Sequence, residues 1–129
     1  MEEQQYGAGI WHFATYVDRY ATDGYGEPRS VLDAIELAGK VQDLSVVDIN
    51  YPYFGGNFTH EDIKVAVDKA GLGVIGITPE IYTREFRKGA FTNPDSGIRR
   101  RAHELITESC EAVRFFNASY VKLWPGQDG

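Results

Sequence analysis

Apolar residues recur along this chain in two rhythms. Short dense runs over residues 10–17, 44–50, 72–78 and 119–124 are rich in branched and aromatic side chains, with Gly or Pro close by. That is the signature of strands. Between them the apolar positions fall at helical spacing. Val31, Ile35, Ala38 and Val41 predict a helix from 31 to about 42, and Ile98, Ala102, Leu105, Ile106, Val113 and Phe116 predict a long one over 95–116. The start signals agree: Ser30 with Asp33, and Thr59 with Asp62, are N-cap and N3 pairs, and Gly71 is a stop for the helix that Thr59 begins. Polar, Gly- and Pro-bearing loops are expected over 18–29, 51–58 and 79–93, the last carrying Arg84, Arg87 and Lys88, and residues 1–9 read as a flexible N-terminus.

The order is therefore β-α-β-α-β-α-β, with crossovers long enough for parallel pairing. The fold class is α/β, with about four parallel strands and three intervening helices in a single domain over residues 1–129. The doubly wound sheet and the eight-stranded barrel both use this grammar. No Gly-x-Gly-x-x-Gly motif follows the first strand, which counts against a dinucleotide fold.

Composition narrows the function classes. A net charge of −6 offers no global pull toward nucleic acid or an anionic membrane. No apolar run approaches the roughly 20 residues of a membrane helix. The start, Met1-Glu2-Glu3-Gln4-Gln5, is the opposite of a secretory signal, and the single Cys110 excludes an internal disulfide. A cytoplasmic protein is expected. His12, His60 and His103 show no mutual metal spacing; His60 and His103 read as surface or packing residues, His12 as a core or barrel-lining one, and Cys110 as packing. Arg99, Arg100 and Arg101 read as a solvated face, with phosphate gathering as the lesser alternative.

If 119–124 is a strand, Lys122 and Trp124 share one face and Val121 and Leu123 the other. A cation and a large aromatic at a strand's C-terminal end suit a small-molecule site; the alternative is that Trp124 packs while Lys122 snorkels to solvent.

The runs Thr78-Pro79-Glu80-Ile81-Tyr82-Thr83, Lys88-Gly89-Ala90-Phe91-Thr92-Asn93 and Ile98-Arg99-Arg100, closing on Trp124-Pro125-Gly126-Gln127-Asp128-Gly129, resemble the N-terminal half of the xylose isomerase-like family of TIM barrels. The stretch 47–53 is closer to the L-rhamnose isomerase branch. The resemblance implies an active site at the strands' C-terminal ends, where two divalent ions, Mg²⁺ or Mn²⁺, act on a sugar. It implies that Trp124 walls the sugar pocket, that Tyr82 is a second wall, and that Thr78 is a polar contact. Glu80 stands where the family has an amide, and Tyr25 where an aromatic reaches into a neighbouring subunit of a homo-oligomer. Asn50 falls where both branches carry a histidine, and an amide cannot carry a proton as imidazole does. Lys122 replaces an apolar residue; it either meets an anionic group of the substrate or pairs with Asp48 or Glu80.

The family's metal-binding carboxylates lie on later strands, outside this chain. Four strands stand where eight close the ring, so the sheet should expose an apolar edge and an apolar inner face. A fragment of a longer protein is preferred to two copies completing one barrel. The expected function is a metal-dependent sugar isomerase acting between aldose and ketose. The alternatives are a ketose 3-epimerase on the same barrel, or a non-catalytic carbohydrate-binding or interaction fragment.

Overall fold

The computed structural model describes residues 4–15, 20 and 24–126. Within them run β1 (Tyr6–Gly9), α1 (Val31–Ala38), β2 (Leu44–Tyr51), α2 (His60–Ala70), β3 (Gly73–Pro79), α3 (Ser96–Phe116) and β4 (Tyr120–Val121). Short 3-10 turns occupy Ile10–Phe13 and Arg84–Phe86. The strands form one sheet in the order β1-β2-β3-β4, every neighbouring pair parallel. Helices cross over between successive strands. The sheet is open, with β1 and β4 as its edges, which is the arrangement of a partial (β/α) barrel.

The helix starts follow from local chemistry. The Ser30 hydroxyl accepts from the Asp33 amide at 3.2 Å while the Asp33 carboxylate accepts from the Ser30 amide at 3.0 Å. Thr59 and Asp62 repeat this box at α2. Asp95 caps α3 by accepting from the amides of Gly97 and Ile98. Gly71 ends α2 at φ 72°, a left-handed conformation that costs glycine nothing. Helix α1 stops at Ala38 instead of about 42: the amides of Lys40 and Val41 turn back to the carbonyls of Leu37 and Ala38, and Asp43 is left-handed at φ 64°. At Gly39 α1 lies close to α2, where a Cβ would meet Ala70.

Three expectations for the strands and loops need correction. The first strand is Tyr6–Gly9, inside the stretch expected to be flexible, and not 10–17. Gly7 and Gly9 hid it by lacking the branched side chains that mark strands. The run that resembled a strand instead turns Ile10 into the core and folds Trp11 back over Gly9, whose missing Cβ makes room for the indole. Val17 lies outside the described residues. The loop 79–93 is not simply polar: Ile81, Phe86 and Ala90 are buried and form a second core with Ala102 and Leu105 of α3. The last strand is only two residues long, although the amides of Ser119 and Lys122 extend its ladder to the carbonyls of Ile75 and Ile77.

The main core lies between the helices and one face of the sheet. Val47, Ile49 and Ile77 meet Ile35 of α1, Ile63 of α2 and Ala112 of α3, all essentially inaccessible. In the C-terminal parts of β2 and β3, past a register shift at Val47/Asp48, core-facing Val47, Ile49 and Ile77 alternate with residues of the opposite face, which receives Asp48, Asn50 and Thr78. The inner face thus combines this buried polar set with the half-buried Val46 and Ile75 and the exposed Trp11, Tyr120 and Trp124, so the apolar inner face expected of an open half-barrel is found in part. Among the described residues no helix is long and apolar enough to cross a membrane.

Candidate functional site

Parallel register places the polar residues side by side. Asn50 on β2 pairs with Thr78 on β3, and Asp48, one inward position earlier, pairs with Gly76. Asp48, Asn50 and Thr78 are each no more than 5% exposed. The Thr78 hydroxyl donates to Asp48 Oδ1 at 2.6 Å. The Asn50 amide donates to the Tyr82 hydroxyl at 2.8 Å, which leaves the phenol its own proton to donate and Asn50 its carbonyl to accept.

Lys122 arrives from the edge strand. Its ammonium lies 3.4 Å from Asp48 Oδ2 and 4.1 Å from the centroid of the Trp11 ring. Oδ2 is buried and has no aligned hydrogen-bond donor, so the ammonium acts on it as an ion-pair partner. Of the two pairings open to Lys122, the one with Asp48 is found. Trp11, Asn50, Thr78, Tyr82, Lys122 and Trp124 together line an open cleft of about 390 Å³ at the C-terminal ends of the strands. Lys122 and Trp124 do share a face. A groove of about 680 Å³ between α1 and α2 is larger, but its charged rim includes the Glu36–Lys40 ion pair and no set of polar groups converges in it.

Burial sets the protonation of the site. The Tyr82 phenol is pushed up to about 12, first by burial and next by the negative charge of Glu80, with the hydrogen bond from Asn50 acting the other way. It is therefore a neutral donor at physiological pH. Tyr120, beside Asp48, is raised by burial and then by that carboxylate's charge. Burial also raises Glu80, which stands next to the cleft without lining it. The folded state then holds a proton on Glu80 at pH values where the unfolded chain has released it, so this group's contribution to stability falls as pH rises. Glu80→Gln should accordingly be more stable than the parent at neutral pH. The gap should shrink as the pH drops through the raised value toward the ordinary carboxylate range, read from melting temperatures across that window.

Not every expected residue converges here. Tyr25 is 60% exposed on the loop before α1 and does not line the cleft. His12 and Cys110 are exposed, correcting the core and packing readings. His60 is packed among Tyr53, Phe115 and Phe116, with Tyr53 Oη and its Nδ1 2.7 Å apart, while His103 meets Phe91. In the basic run, Arg99 donates to the carbonyls of Asn93 and Pro94, and Arg101 pairs with Glu104 and Glu108. Sequence reasoning missed Trp11 because its run read as a strand; the signal available was Gly9 two residues before a large ring. Among the described residues no group of three or more His, Cys, Asp or Glu side chains could hold a metal ion.

No protein-family profile matches the chain. It is 25% identical over 146 aligned positions to the xylose isomerase of Thermus thermophilus, an alignment spanning 98% of this chain and 35% of that enzyme. The chain thus spans about a third of the length of that relative.

Proposed function

We propose that this chain is the N-terminal part, carrying the first four strands of the barrel, of a metal-dependent sugar isomerase that interconverts an aldose and a ketose on a xylose isomerase-like barrel. One observation carries the reading: both tryptophans of the sequence and a buried polar set meet in one open cleft at the C-terminal ends of parallel strands. The distant likeness to a xylose isomerase supports it.

In this reading Trp11 and Trp124 offer apolar faces to the C–H surfaces of a sugar. Tyr82 donates a hydrogen bond, the Asn50 carbonyl accepts one, and Lys122 supplies a charged donor. Thr78 holds Asp48, and Asp48 holds Lys122. Among the described residues Asp48 is engaged by Lys122 and Thr78, and no group of three His, Cys, Asp or Glu side chains gathers around it to hold a divalent ion. The metal ligands are assigned to later strands, and when bound the metal would polarise the sugar's carbonyl oxygen. A sugar epimerase is the second reading, favoured by Asn50: its amide is already tied to Tyr82, and no imidazole stands there to shuttle a proton.

Product analysis by carbon position tests both readings. The longest natural polypeptide carrying these residues, supplied with Mn²⁺, should exchange hydrogen between C1 and C2 of an aldose. Inversion at C3 would favour the epimerase, and no turnover with any of a panel of pentoses and hexoses would leave only a binding role. The 129-residue chain alone should show no tight Mn²⁺ binding by calorimetry.

A further inference from the structure

We propose that Asp48 is a charge mask on Lys122, making the lysine a hydrogen-bond donor to neutral oxygens and not a receptor for anions. The residue pair is built for this. Asp48 is almost fully buried, its Oδ1 is committed to Thr78, and its Oδ2 has no aligned hydrogen-bond donor, so the ammonium 3.4 Å away is the positive charge that compensates it, with the neutral Tyr120 hydroxyl beside the same carboxylate. The Trp11 ring covers another side of the same ammonium. Lys122 nevertheless lines the cleft with its side chain 40% exposed, which leaves it a donor to offer a ligand. Glu80, which stands beside the cleft without lining it, adds no positive charge. An anion entering the cleft therefore meets a neutral ion pair, while a hydroxyl or carbonyl oxygen still finds a strong donor. The consequence for ligand choice, a neutral polyol preferred to its acid, rests on the sugar-site reading above; the mask itself does not.

Quenching of tryptophan fluorescence separates the two. The sequence has two tryptophans, so a Trp124→Phe background leaves Trp11, next to the ammonium, as sole reporter. In that background the ratio of iodide to acrylamide quenching should be at or below that of free N-acetyltryptophanamide. Asp48→Asn should raise the ratio about two- to fourfold at low salt, as expected for one unscreened charge a few ångströms from the ring, and the rise should vanish at high salt. Adding Lys122→Met should abolish it. A ratio already above the free-indole value in the parent background, or no rise in Asp48→Asn, overturns the mask. Should Asp48→Asn fail to fold by circular dichroism, the parent ratio alone decides. In a second arm using both tryptophans, xylitol should perturb the emission of the parent more than xylonate does, and Asp48→Asn should reverse that order. If neither polyol acts while the quenching result holds, the sugar-site reading falls and the mask stands.

Discussion

Replacing Phe86 by alanine should cost roughly 3–5 kcal/mol of stability, the range for emptying a buried aromatic site. Phe86 is 1% exposed and fills the second core between Ile81, Ala90, Ala102 and Leu105. Those contacts fasten the loop after β3 onto α3, and Tyr82 stands on that loop one residue after the buried Ile81. The loss should therefore reach the cleft: with its loop loosened, Tyr82 no longer holds a fixed position against Asn50. Denaturant titration should show a lower midpoint at unchanged slope, and Phe86→Leu, which keeps most of the volume, should lose less than about 1.5 kcal/mol. A fall below about 1 kcal/mol for the alanine variant would mean that the loop is held elsewhere.

The second large effect belongs to the ion pair. Lys122→Met should destabilise the protein by about 2 kcal/mol, between the 0–1 typical of exposed pairs and the 3–5 seen when a buried pair loses one partner. The intermediate figure follows from geometry, with Asp48 only 6% exposed in its side chain and Lys122 40%. The cost comes chiefly from the carboxylate left behind, so Asp48→Asn added to Lys122→Met should recover most of it. A double-mutant cycle by chemical denaturation reads this directly. Additive effects would show that the two groups do not interact.

The contrast between these two sites explains what could be read from the chain beforehand. Capping boxes are local, so Ser30 with Asp33 and Thr59 with Asp62 announced their helices within four residues, and the Gly71 stop was equally plain. Strands β2 and β3 were legible because each is a short dense run of branched residues beside a Gly or Pro. Lys122 and Trp124 were placed on a common face by strand alternation alone. Strand β1 was not legible, since its identity lies in what Gly7 and Gly9 omit. Phe86 was missed as core because buried residues of an irregular loop have no period to betray them. The pairing of Lys122 with Asp48 instead of Glu80 depends on the register of strands far apart in sequence, which no local pattern encodes.

The ring of Tyr120 rests on the backbone of Gly76, and that of Trp11 on Gly9; a Cβ at either glycine would fall inside the neighbouring aromatic. Each glycine is therefore matched in space to its aromatic neighbour, and substitution of either is expected to depend on the other. Among homologues, 76 should remain glycine wherever 120 is aromatic and be released to larger residues only where 120 has shrunk, with 9 and 11 obeying the same rule. A mutagenesis library that varies one member of a pair while fixing the other will sample mostly misfits, whereas joint randomisation gives access to clefts of new width.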